Sequence, residues 1–163
     1  MNEIVLLRHG HALSTREAGV HTDAERPLSD LGEKEILEAA AYLKRTGFSP
    51  ALIIHSPYLR AARTAELAAT VFPGAALRAA AELSDGPSTA ALDILLEAAS
   101  RPGAAVLAVG HQPMLGAIAG YLSGCPPLDL SPAGFARIKP GPKADQGSLA
   151  ELYDPRDPKE QPR

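Results

Sequence analysis

The chain has 163 residues, with 16 Lys and Arg against 19 Asp and Glu, 45% hydrophobic and 21% charged residues, the profile of an ordinary globular protein. The lone Cys125 excludes an internal disulfide framework and a Cys-cluster zinc site. A formal charge of −3 with dispersed signs argues against a nucleic-acid-binding surface, and no apolar run approaches the roughly 20 residues of a membrane span.

A chain of this length buries roughly 70% of the surface it exposes when unfolded. One compact domain over residues 1–153 is therefore expected, followed by a frayed tail over 154–163. The N-terminus lacks the basic start of a secretory signal, so the expected location is the cytoplasm.

Ile4 to Leu7 is an apolar run that stops abruptly at Arg8-His9-Gly10, as a buried strand does when it ends in a functional loop. Polar loop character continues to Pro27. From Ser29, a capping residue followed by Asp30 and Glu33, apolar residues Leu31, Ile36, Leu37, Ala40 and Leu43 recur at helical spacing until Gly47. Ala51 to His55 reads as a second buried strand, and Ser56-Pro57 as the start of a helix whose apolar positions Leu59, Ala62, Ala65, Leu67 and Ala68 carry it to about Phe72. A short strand is expected before Glu82. Ser88 opens a third helix, stopped by Pro102-Gly103. Ala104 to Val109 reads as a central strand ending in Gly110-His111, and an apolar helix follows Gln112-Pro113 to about Leu122. Phe135 to Lys139 and Ser148 to Tyr153 read as a closing pair of strands.

Alternating strands and helices predict an α/β three-layer sandwich. Its central sheet is mostly parallel, with helices on both faces and an antiparallel edge. Ligands of such sheets bind beyond the carboxyl ends of the strands. Arg8-His9, Ser56 with Arg60, and His111 all fall just after predicted strands. In isolation Arg60 reads as a solvated helix arginine and His111 as a core histidine.

Together these residues carry a resemblance. Leu7-Arg8-His9-Gly10, Arg26-Pro27-Leu28-Ser29-Asp30-Leu31-Gly32, Ser56-Pro57-Tyr58-Leu59-Arg60-Ala61-Ala62-Arg63-Thr64-Ala65 and Val109-Gly110-His111-Gln112-Pro113 resemble, in order and spacing, the motifs of the histidine phosphatase superfamily. The small size and the Gly110-His111-Gln112-Pro113 variant are most similar to the SixA branch of phosphohistidine phosphatases. The resemblance implies a phosphoglycerate mutase-like fold, His9 as a transiently phosphorylated nucleophile, and Arg8, Arg60 and His111 as holders of the phosphoryl oxygens.

The chemistry of the residues agrees. A phosphoryl group in transfer spreads charge over its equatorial oxygens and needs fixed convergent donors, which two guanidinium forks supply. His9 must attack through a neutral nitrogen while its other N–H is held. Gly10 would let backbone approach the imidazole or phosphate. Ser56 would either donate to the anion or cap its helix. Arg26 would line the pocket, and Arg63 reads as a structural ion-pair partner. By the resemblance, Glu82 is the nearest match to an acid that protonates a leaving alkoxide, with Asp85 as runner-up.

His9-x-His11 lacks further ligands at metal-binding spacing, so no metal and no cofactor is expected. The expected activity is a metal-independent phosphatase, most plausibly on a phosphohistidine-bearing protein and acting as a monomer, with no nucleic acid or membrane partner. The alternatives are a small-molecule phosphomonoesterase and a non-catalytic module that binds phosphorylated ligands.

Overall fold

The computed structural model describes residues 2–157. Its strands are β1 (Ile4–Arg8), β2 (Leu52–His55), β3 (Ala76–Ala79), β4 (Val106–Gly110), β5 (Phe135–Lys139) and β6 (Ser148–Tyr153). Its helices are α1 (Thr15–Ala18), α2 (Asp30–Arg45), α3 (Leu59–Val71), α4 (Ser88–Ala99) and α5 (Met114–Ser123). The strands form a single six-stranded sheet in the order β3-β2-β4-β1-β5-β6. The first four run parallel, and β5 and β6 form the antiparallel edge.

The apolar runs of β1 and β4 follow from burial on both sides, because successive side chains of a strand point to opposite faces. Val5 and Leu7 enter one core with Ile36, Leu43, Ala61 and Ala65 of α2 and α3. Ile4 and Leu6 enter the other with Leu95, Ala99, Leu115 and Ile118 of α4 and α5. Alanines where the helices meet the sheet, such as Ala39, Ala61 and Ala119, are fully buried and permit close approach. Ser29 caps α2, its hydroxyl accepting from Gly32 N at 3.0 Å.

Some expectations are corrected. Leu31, Leu37 and Leu59 lie on outward helix faces and are exposed, because the buried stripe of α2 is Ile36, Ala39, Ala40 and Leu43. The stretch 11–27 is not wholly loop. It holds α1, closed by a reciprocal capping box between Ser14 and Glu17, and a 3-10 turn at Asp23–Glu25. Beyond β6, Ser131 donates to Asp154 at 3.0 Å, Arg156 bonds both, and Pro155 is buried. The rest of the expected tail, 158–163, lies outside the described residues.

What matters for the site is register. Leu7 pairs with Val109, and Val109 with His55, so β1, β4 and β2 end at one level. The residues that follow each strand, His9, His111 and Ser56, therefore emerge side by side.

Candidate active site

His9 is buried at the end of β1, its amide donating to Gly110 O at 3.1 Å. Its Nδ1 lies 2.8 Å from Gly10 O. A carbonyl can only accept, so Nδ1 carries the proton and Nε2 keeps its lone pair. Nε2 faces Arg60, whose Nε–H donates to it at 3.3 Å. Burial holds the His9 imidazole down to about 3. The Gly10 hydrogen bond opposes this shift, while the positive potential of His111, Arg60 and Arg8 adds to it. The His9 imidazole is thus neutral at physiological pH.

Arg60 lies in the first turn of α3 and is only 6% exposed. Its three nitrogens are committed: Nε to His9, Nη1 to Asp23 O at 2.7 Å and Nη2 to Asp23 Oδ2 at 2.9 Å. Thr64, one turn on, is also buried. It donates to Arg60 O at 2.7 Å and accepts from Gly10 N at 3.2 Å, tying the loop after β1 to α3.

The His111 ring centroid lies 5.1 Å from that of His9. Its Nε2 is 2.8 Å from Ser56 Oγ. Burial and then Arg60 lower its imidazole to about 4; Arg8 adds to this, and Asp23 and Asp85 oppose it. Arg8 donates from Nη1 to Leu130 O at 2.9 Å. Burial lowers its guanidinium, Asp129 raises it and Arg60 lowers it further. Among the described residues, two buried side-chain nitrogens have no hydrogen-bond partner, Arg8 Nε and His111 Nδ1. An unsatisfied buried donor costs about 1–3 kcal/mol, and both lie in the predicted phosphoryl cluster. Two unpartnered buried nitrogens on basic side chains thus stand beside a neutral imidazole.

Residues 4–85 match the model of the histidine phosphatase superfamily (branch 1). An uncharacterised protein of Picosynechococcus sp. is 34% identical over 115 residues, 70% of this chain and 68% of that protein. This chain belongs to the histidine phosphatase superfamily. Its fold is shared with the protein histidine phosphatase SixA in complex with tungstate, at a TM-score of 0.78 and 23% identity over 94% of this chain and 97% of that one. It is also shared with mycobacterial glucosyl-3-phosphoglycerate phosphatase, at a TM-score of 0.69 and 17% identity over 94% and 99% of the two chains.

Against that family background, the structure brings together His9, Arg8, Arg60, His111 and Ser56. Arg26 donates to Leu13 O (Nε, 2.9 Å) and to Asp23 Oδ1 (Nη1, 3.0 Å). Gly10 lacks a side chain because of α2: a Cβ there would sit 2.8 Å from Gly32 O.

Glu82 is exposed on the turn after β3 and makes no hydrogen bond or ion pair with the cluster. Asp85 accepts from Tyr58 Oη at 3.4 Å, and the Tyr58 ring centroid lies 5.1 Å from that of His111. Ser56 is fully buried and accepts from Tyr58 N at 3.2 Å, so it bonds both α3 and His111. Arg63 pairs with Glu33 at 2.8 Å. His11 and His55 bond Ser29 Oγ and Ser56 O.

Sequence reading missed Asp23, Thr64 and Asp129. Only Thr64 left a signal, standing one helical turn after Arg60. No helix among the described residues is long and apolar enough to cross a membrane.

Proposed function

We propose that this chain is a metal-independent phosphatase that forms a covalent phosphohistidine at His9 and acts on phosphohistidine in a protein. Membership of the superfamily supports phosphatase chemistry. The observation that carries the finer reading is the state of His9, with Nδ1–H on the Gly10 carbonyl and the Nε2 lone pair turned into a cluster of two guanidiniums and a second imidazole.

In the first step the Nε2 lone pair forms a bond to phosphorus, and the bond from phosphorus to the leaving atom breaks, that atom keeping the electron pair. The charge spread over the equatorial oxygens is met by Arg8, Arg60 and His111 Nδ1. In the second step water attacks phosphorus, the P–N bond breaks, its electrons return to Nε2, and the water proton leaves with phosphate or to solvent. His9 is restored.

The substrate class is argued from the leaving group. An alkoxide must be protonated as it departs, whereas an imidazole needs far less help. Glu82 stands apart from the cluster and Asp85 meets it only through Tyr58, which suits the imidazole. A cleft of about 370 Å³ beside His111, lined by Leu83, Ser84, Gln112 and Met114, leaves room for a group carried on a protein. The name of the SixA neighbour agrees with this reading.

The test is to incubate the protein with a labelled phosphohistidine carrier protein, quench in alkaline detergent, and compare turnover with a panel of sugar phosphates. Expected are an alkali-stable, acid-labile label on wild type, no label on His9→Ala, and faster turnover of the carrier. Faster turnover of sugar phosphates would favour a small-molecule phosphomonoesterase. Phosphate binding without label or turnover would favour a binding module.

A further inference from the structure

We propose that the Asp23 carboxylate is a displaceable stand-in for a phosphoryl oxygen on Arg60, and that it thereby sets how tightly the pocket holds a phosphoryl group. The inference rests on the reading above that Arg60 binds the phosphoryl oxygens.

Nε and Nη2 form one edge of a guanidinium, with parallel N–H bonds that suit two oxygens of one oxyanion. On Arg60 this edge is divided: Nε–H points at His9 Nε2, and Nη2–H at Asp23 Oδ2. A phosphoryl group in line with His9 Nε2 comes to lie against that edge. Its natural second contact is Nη2, which the carboxylate already holds.

The two contacts of Asp23 with Arg60 differ in kind. The Asp23 side chain, whose Oδ1 also accepts from Arg26 Nη1 at 3.0 Å on the same turn, is 59% exposed and can swing into solvent, whereas its backbone carbonyl, 2.7 Å from Nη1, belongs to a braced loop. Leu13 N donates to Pro27 O at 2.9 Å, Arg26 Nε donates to Leu13 O, and Ala12 bridges to Leu28. None of these braces uses the Asp23 side chain. The carbonyl therefore keeps Arg60 aimed while the carboxylate yields. Hydrogen bonds from Arg26 and then Arg60 hold the Asp23 carboxyl below its usual range, so it is anionic at neutral pH. An incoming dianion must then displace a charge of its own sign.

Binding of inorganic phosphate to the full chain, by titration calorimetry at pH 7.5, tests this with Asp23→Asn, Asp23→Ala and Arg60→Gln beside wild type. Both Asp23 variants are expected to bind phosphate about tenfold more tightly and to show a lower KM without a higher kcat. Two variants guard against misfolding of one, and thermal unfolding reports on both.

Unchanged or weaker phosphate binding in the folded Asp23 variants overturns the inference and makes Asp23 a simple prop for Arg60. If Arg60→Gln binds phosphate as wild type does, the assignment of Arg60 to the phosphoryl group fails as well. If Arg60→Gln loses binding while the Asp23 variants gain nothing, only the role of Asp23 falls.

Discussion

Ser56 Oγ sits between Tyr58 N, from which it accepts at 3.2 Å, and His111 Nε2 at 2.8 Å, in a fully buried position. The Ser56 hydroxyl can give its proton to His111 Nε2, which puts the ring's own proton on Nδ1. Nδ1 is one of two buried side-chain nitrogens without a partner among the described residues. On the function proposed above, Ser56 in this arrangement makes His111 an Nδ1–H donor to the phosphoryl group. Ser56→Ala removes this selection and is expected to lower kcat about tenfold with a smaller change in KM. Imidazole ¹⁵N shifts of His111 should move from a single tautomer to a mixture. An unchanged shift with unchanged kcat would reduce Ser56 to a packing residue.

The imidazoles also make stability depend on pH, with a sign fixed by their shifts. His9 is held at about 3 and His111 at about 4, both below the ordinary 6.5. Between these values and 6.5 the unfolded chain binds protons that the native state refuses, so stability is complete above about pH 6.5 and declines as pH falls toward 3–4. For His9 the loss by pH 5 reaches about 2 kcal/mol. Chemical denaturation at pH 7.5 and 5.0 measures it. His9→Asn is expected to flatten the profile, and an equal slope in wild type and variant would contradict the burial of a neutral His9.

The strands that carry the site were legible because burial on both sides of a parallel sheet writes continuous apolar runs, and Arg8-His9 and Gly110-His111 stand where those runs end. The pairing partner of Arg60 was not legible. Its burial comes from Asp23, 37 residues away in sequence, on a turn whose polar residues resemble any loop. Leu31, Leu37 and Leu59 misled for the converse reason: an outward leucine has the same hydrophobicity as an inward one, and only the tertiary position of the helix separates them. The α1 helix was readable in the Ser14 and Glu17 spacing, a capping signature that four helical residues make easy to overlook.

The two carboxylates on the segment after β3, Glu82 and Asp85, make different predictions. Asp85 touches Tyr58, whose ring centroid is 5.1 Å from that of His111, while Glu82 is exposed and bonded to none of the cluster. Glu82→Gln is expected to change turnover of alkyl phosphates and of phosphohistidine less than about twofold. Asp85→Asn is expected to slow alkyl phosphates about fivefold and phosphohistidine less, since only the alkoxide needs a proton. Equal slowing of both substrates by Asp85→Asn would rule out an acid role, and a selective loss in Glu82→Gln would restore the assignment suggested by sequence.

The close approach of the nucleophile loop to α2 gives the last prediction. A Cβ on Gly10 would meet Gly32 O at 2.8 Å and Ile36 Cγ1 at 3.0 Å. The first neighbour is backbone of a capped helix and cannot step aside cheaply, so the strain passes to the loop, whose Gly10 carbonyl fixes His9 Nδ1. Overpacking of this kind costs about 1–3 kcal/mol, or roughly 3–10 °C in Tm for a chain of this size. Gly10→Ala is expected to show that loss together with a fall in kcat larger than the change in phosphate affinity, because His9, the proposed nucleophile, moves while Arg60 and Arg8 remain anchored elsewhere. Gly74→Ala, where a Cβ meets nothing within 4 Å, is the control and should leave Tm within about a degree and activity intact. A Gly10→Ala protein as stable and active as that control would show that contact with α2 does not position His9.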